Sequence, residues 1–364
     1  MKSRFFSWVS ALGIAGALIS WTPLPMVGQP RKAAPSKSSS IPRMPDGHPD
    51  LQGTYDLAIV TPLERLPGDP PFLTKEKADE LLKAELARRA DDHGLDSGTG
   101  PAKSFFVLAE RAGGGATGAY NRFWLEQGMQ YTVVDGQIRT SIVVDPADGH
   151  VPPFNAAARQ RAVSMRGVPT SDQRENQDPT AEPAGAFDNP EQRPLGERCI
   201  LGFGSTSGPP VLPDYFYNDL HQVVQTPDSI MILTEMVHDA RIIRMNATHL
   251  PKAIRRWMGD SVGHWEGDTL VIDTTNFNDK TRFRGSTENL HVIERFARVD
   301  DKTLLYRFTV EDPATWDRPW SGEYTWPLTE KHIYEYACHE GNYALANILR
   351  GARHQEAEAA KGSK

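Results

Sequence analysis

The sequence predicts a mainly β protein, an antiparallel β-barrel or sandwich with a few peripheral helices and long loops. Three observations carry that expectation. Hairpin signals recur through the second half with no long helix between them, which argues for an antiparallel meander. Several strands, such as Ile230–Val237 (IMILTEMV), are apolar on both faces, as strands covered on both sides are. The composition includes 28 Pro and 30 Gly, the residues that turns and loops require.

In chain order, residues 1–28 read as a signal peptide. Lys2 and Arg4 form a short positive region, Phe5 to Trp21 is mostly apolar, and Pro23 and Pro25 break it ahead of the small Gly28. The alternative is an uncleaved anchor. Cleavage is expected between about Pro23 and Ala34, which places the mature protein in the periplasm or outside the cell. Residues 29–42 are a Pro/Ser/Lys linker expected to be disordered. One β-rich domain follows over 43–354, interrupted by a long polar loop at 167–196, and residues 355–364 are expected to form a disordered tail.

Leu51-Gln52-Gly53-Thr54-Tyr55 reads as a first short strand. Its Gly-x-aromatic start resembles the opening of lipocalins, so a lipocalin- or calycin-like meander is one form the barrel could take. Leu73–Arg89 is the best early helix. Thr74 can cap it, and Ala78, Leu81, Leu82 and Leu86 share one stripe. The cluster Gly113-Gly114-Gly115 with Gly118 lacks the Lys-Ser/Thr of a phosphate loop and reads as a plain loop. Gln130–Val144 is a hairpin about Asp135-Gly136. Asn155–Val163 reads as a short helix.

In the second half, Leu220–Gln225 and Ser229–Met236 flank a turn at Pro227-Asp228, and Ala240–Met245 follows. Leu290–Val299 pairs with Thr303–Val310, and Gly322–Leu328 with His332–Cys338. Gly341 onward reads as a closing amphipathic helix. The clearest element lies between these, at Gly259–Phe277 (GDSVGHWEGDTLVIDTTNF). With Gly267-Asp268 as the turn, Glu266 faces Thr269, Trp265 faces Leu270, His264 faces Val271, Gly263 faces Ile272, Val262 faces Asp273 and Asp260 faces Thr275. Alternation then gives a core face with Trp265, Leu270, Ile272 and Gly263. The other face is polar and carries Asp260, His264, Glu266 and Asp273.

Charge and cysteines bound the function. The net charge of −7 and the absence of a basic stripe argue against nucleic acid as the main partner. No other run approaches the roughly 18 apolar residues of a membrane helix, so no stable membrane insertion is expected once the signal is removed. Cys199 and Cys338 are the two cysteines, and in an oxidising compartment they are expected to form a bridge.

No Gly-x-Ser-x-Gly elbow, His-Glu-x-x-His or Walker motif is present. His264 and Asp273 become diagonal neighbours on the polar face, and an imidazole held by a carboxylate is the usual acid–base unit. His238-Asp239 ends a buried-looking strand, Asp260 shares the polar face, and Glu235 sits inside an apolar run. These six residues are the catalytic candidates. Arg241, Arg295 or Arg307 could pair with Glu235, and a structural ion pair is the plain alternative there, as a solvated sheet surface is for the polar face. His221, His238 and His264 lie on neighbouring strands, but spacing alone assigns no metal. No cofactor is assigned.

From Pro45 to Arg353 the chain resembles a family of exported bacterial proteins of uncharacterised activity. PDGHPDLQG, RCILGF, TEMVHDARII, MGDSVGHWEGDTLVIDTTNFND and YEYACHEGNY carry the resemblance. It implies export and a shared fold and carries no activity over. Three functions stay open. One is a cofactor-independent hydrolase, lyase or isomerase acting by His/Asp acid–base chemistry on a small, partly apolar or aromatic molecule. A second is a non-catalytic binding protein for such a molecule. The third is a glycan-binding or glycan-cleaving protein with two of Glu235, Asp260, Asp273 and Glu294 as an acid pair.

Overall fold

The computed structural model describes residues 41–91, 128–164, 187–193, 195–202, 207–213, 218–281 and 283–362. The expected signal peptide, nearly all of the linker, the Gly113–Gly118 cluster and most of the loop 167–196 lie outside the described residues. The chain divides into a unit Met1–Ser38 and a unit Ser39–Lys364, and all described residues belong to the second.

The first half contains β1 (Gly53–Asp56), β2 (Phe72–Leu73), α1 (Lys75–Asp91), β3 (Val133–Val134), β4 (Gln137–Arg139), β5 (Val143–Asp145) and α2 (Ala156–Ser164). The second half runs β6 (Leu220–Gln225), β7 (Ser229–Thr234), β8 (Ala240–Met245), β9 (Asp260–Glu266) and β10 (Thr269–Thr275). It continues with β11 (His291–Arg298), β12 (Thr303–Glu311), β13 (Trp320–Thr329) and α3 (Ala344–Gly362). β1 and β6 to β13 hydrogen-bond in that order, and β13 pairs back to β1 through Thr54↔Thr329 and Tyr55↔Leu328. Nine strands thus close a barrel, which leaves no long open edge. β5 adds to β13, and β2, β4 and β3 form a small separate sheet.

Turn chemistry sets the registers. Gly267 takes a φ of 60°, and the β9–β10 ladder runs from Glu266↔Thr269 to Asp260↔Thr275, as the sequence implies. Asp135 and Gly136 both have positive φ, the pattern of a type I′ turn, and join β3 to β4. Thr74 caps α1 by accepting from the Lys77 amide at 3.2 Å.

Three expectations differ from the structure. β8 and β9 are parallel, because the chain crosses back over the barrel wall through Asn246–Gly259 before starting β9. His332–Cys338 is not a strand, since β13 already has partners on both sides and leaves no edge for it. α3 continues to Gly362 through the expected tail, with Arg353–Glu356 and Glu358–Lys361 ion pairs at helical spacing.

The barrel interior is a packed core. Inward positions alternate along each strand and place Phe296, Tyr306, Phe308, Trp320, Tyr324, Trp326 and Tyr55 inside, all nearly fully buried. Eight strands leave an interior that side chains can just fill. The ninth strand widens it, and indole and phenol rings occupy the added room. Phe296 meets Trp326 edge-on at 5.0 Å. The segment 207–213 reaches these rings. The Val211 amide donates to Tyr306 Oη at 2.9 Å, and Tyr324 Oη donates to the Val211 carbonyl at 3.0 Å, so each buried polar group satisfies the other.

The expected Cys199–Cys338 bridge is present, with the Cα atoms 5.8 Å apart. It ties the irregular segment after β13 to the segment before β6. Among the described residues, no helix is long and apolar enough to cross a membrane.

Candidate functional site

The same alternation that fills the interior sorts polar residues to the outer wall. On β10, Leu270, Ile272 and Thr274 point inward, so Asp273 points outward. On β11, Val292 and Glu294 point inward, so His291 points outward, and it faces Glu311 of β12 in register. On β9, Ser261 and Gly263 point inward, so Asp260 points outward, yet its side chain is only 1% exposed because the β8–β9 crossover covers it. That crossover delivers His249 to the wall.

These groups form one chain of alternating acid and base. Arg244 donates to both oxygens of Asp260 at 3.0 Å. His249 Nδ1 lies 3.2 Å from Asp260 Oδ2, and its Nε2 lies 2.8 Å from Asp273 Oδ1. His291 Nε2 lies 3.0 Å from the other oxygen of Asp273, and its Nδ1 lies 3.2 Å from Glu311 Oε2. A single carboxylate therefore serves two imidazoles, and each imidazole is held at its far nitrogen by a second carboxylate. Both rings are partly open, at 28% and 29% side-chain exposure, so solvent and solutes reach them.

The electrostatics follow from these contacts. The His291 hydrogen bond, reinforced by that ring's charge and by His249, holds the Asp273 carboxyl below its ordinary value against the effect of burial. In return Asp273, with Glu311 behind it, raises His291 above its ordinary value. Burial works to raise the Asp260 carboxyl, but the Leu250 amide, His249 and Arg244 outweigh it and hold it low.

The sequence candidates fall in two places. Asp260 and Asp273 belong to this chain. His264 shares their face, but its half-exposed ring meets Glu266 at 3.3 Å rather than Asp273. The expected His264–Asp273 contact is replaced, because His249 and His291 hold the Asp273 oxygens. His238, Asp239 and Glu235 cluster instead where the chain leaves β7. His238 is exposed, Asp239 accepts from Ser207 Oγ at 2.7 Å, and burial raises the Asp239 carboxyl above its ordinary value. Glu235 is buried and accepts from the Tyr334 amide at 3.0 Å, which anchors the segment after β13.

Arg241, considered as a partner for Glu235, pairs with Glu294 instead, inside the barrel, at 2.5 and 2.9 Å. Tyr306 Oη donates to the same carboxylate at 2.8 Å. This group is closed to solvent and reads as a paired buried charge that fixes the positions of β8, β11 and β12. His221 is also wholly buried, and burial pushes its imidazole down to about 4, so it stays neutral.

His249 and His291 were not found from the sequence. His249 lies in an irregular crossover whose path no periodicity reveals. His291 opens a strand, and alternation puts it on the face opposite Val292. Its meeting with Asp273 depends on a β10–β11 connection too long to set a register. Among the described residues, no group of three His, Cys, Asp or Glu side chains has the arrangement to hold a metal ion. Comparison with protein-family models, with curated proteins and with solved structures finds no match for this chain.

Proposed function

We propose that this chain is an exported barrel protein that acts on a small, partly apolar or aromatic molecule by acid–base chemistry at the outer wall, without an organic cofactor. His291 is the proton donor, His249 the acceptor, and Asp273 positions both. The observation that carries this reading is the carboxylate shared by two partly open imidazoles. Histidine is the side chain whose charge changes nearest neutral pH, and two of them in different surroundings divide naturally into an acid and a base. A substrate would displace one carboxylate contact at each ring, giving its proton to His249 and taking one from His291. In register, Asp273 stands between Val262 and Ile293, both half-buried, so an apolar surface flanks the charged chain.

Export is part of the same proposal. It is supported by Lys2 and Arg4 ahead of the apolar run, by the resemblance to exported bacterial proteins, and by a disulfide suited to an oxidising compartment.

The test is turnover of a panel of 4-nitrophenyl esters, and deuterium uptake by simple ketones in D2O followed by NMR. His249→Gln and His291→Gln are each expected to lower kcat/KM by about 10²-fold or more, with little change in melting temperature. His264→Ala is expected to change little, because that ring meets only Glu266 on an exposed surface. Turnover that survives in both glutamine variants would remove the catalytic reading. Binding of a panel compound without turnover, unchanged in both variants, would leave a binding protein.

A further inference from the structure

Resting on the acid–base reading of the outer wall, we infer that Arg295 and Arg307 form an oxyanion clamp at the foot of the same site. The molecule the site takes is then a small organic acid. Its carboxylate lies between the two guanidiniums, its apolar body lies over Ile293, and its reacting end lies at the imidazoles.

Register and alternation set the three parts in a line. The outward residues of β11 are His291, Ile293 and Arg295, in that order. β12 places Glu311, Thr309 and Arg307 opposite them. Two neighbouring strands therefore present an acid–imidazole pair, a half-buried step, and a pair of guanidiniums. Asp273 stands beside Ile293 on the other side. Four residues of strand separate His291 from Arg295, about 13 Å along the backbone. The long arginine stems reach back over part of that gap and leave room for about one substituted ring. Beyond the arginines the wall meets the small sheet, from which Arg139 of β4 reaches Glu323 of β13.

Two observations point to an anion between the arginines. The first is their placement. Like charges directly opposite on a ladder destabilise it, and Arg295 faces Arg307 in register. The second is that their donors are left over. Glu266 comes within 3.5 Å of Arg295 but is also the partner of His264. Glu323 accepts from Arg307 Nε at 2.8 Å but also accepts from Arg139. Asp135 approaches Arg307 only to 3.9 Å. Among the described residues, Arg295 donates no hydrogen bond, and Arg307 donates one, from Nε. Each guanidinium has five N–H donors in a plane that matches the two oxygens of a carboxylate. Both side chains are open to solvent, at 43% and 46% exposure. One oxyanion between them takes the unused donors and relieves their repulsion. The exposed Glu266 contact is a weak rival, as surface ion pairs are. Asp273 and Glu311, which would repel the anion, lie at the other end and are held by imidazoles.

Calorimetric titration of the full-length protein at neutral pH tests the clamp. The probes are benzoate, phenylacetate and 4-hydroxycinnamate, each beside its methyl ester. At least one acid is expected to bind about tenfold or more tighter than its ester, the gain from charge-assisted hydrogen bonds. Arg295→Gln is expected to remove most of that preference and leave the affinity for the ester unchanged. Arg307→Gln is expected to do the same. If loss of the Glu323 contact unfolds that variant, Arg295→Gln carries the test, since its side chain donates no hydrogen bond within the described residues. His249→Gln and His291→Gln are expected to keep the preference. Equal affinity for acid and ester, or no binding of any acid at millimolar concentration, overturns the clamp. So does a preference kept in Arg295→Gln and lost in His291→Gln, which places the anion on the imidazole instead. Binding is read without turnover, so the two readings fail separately. An acid preference that depends on Arg295, with ester turnover untouched in both histidine variants, removes the enzyme and keeps the clamp. Turnover that depends on the histidines, with no acid preference, does the reverse.

Discussion

A carboxylate placed between two imidazoles sets the sign of the pH response. His291 is raised above 6.5 in the fold, so its contribution is fully present below 6.5 and is lost as pH rises through the raised value. Asp260 and Asp273 are held below 3.8, so their contribution is present above 3.8 and is lost as pH falls through their folded values. The contributions of Asp260, Asp273 and His291 are thus all present between 3.8 and 6.5. The urea midpoint is expected to fall from pH 5 to pH 9, and His291→Gln is expected to flatten that fall. An equal midpoint at the two pH values in the wild type would contradict the assignment. Arg241 and Glu294 show the opposite case, in which two charges enclosed together inside the barrel fix strand positions and meet no solvent. Exposure of the rings separates the two groups, and exposure could not be read from the residue types alone.

At the scale of elements, the β9–β10 hairpin shows how much was legible. A two-residue turn signal and strict alternation were enough to pair Asp260 with Thr275 and to send Leu270 inward and Asp273 outward. The same alternation carries a steric condition. Gly263 points inward where β8 comes alongside, and a Cβ there would stand 2.8 Å from Ile243 Cγ2 and 2.9 Å from Met245 Sδ. Gly263→Val is therefore expected to destabilise the protein by about 1–3 kcal/mol, the usual cost of overpacking, read as a lower urea midpoint. A midpoint within error of the wild type would mean that β8 can shift to make room. The parallel β8–β9 pair itself was not legible. Short strands with similar apolar patterns do not declare their direction, and the irregular crossover between them gives no turn that would. His249 was missed for the same reason, because a histidine outside any period has no predicted face. Asp273 was found because its strand has one.

At the scale of the whole molecule, two closures hold the chain. One is the β1–β13 pairing, which completes the barrel through backbone bonds. The other is the disulfide, which joins positions 139 apart in sequence and so encloses every strand from β6 to β13. The first acts on the folded state and the second mainly on the unfolded one, where a loop of that length loses chain entropy worth about 5 kcal/mol in the chain-entropy model. The bridged cysteines lie in irregular segments outside the barrel ladder, so their removal leaves every strand pair in place. The double variant Cys199→Ser/Cys338→Ser is therefore expected to keep the near-ultraviolet dichroism of its packed aromatic core while losing about 3–5 kcal/mol in urea unfolding. Loss of the aromatic signal would show instead that the segment anchored by Tyr334 on Glu235 is needed to assemble the barrel. An unchanged midpoint would show that the unfolded chain stays compact enough for the bridge to restrict nothing further.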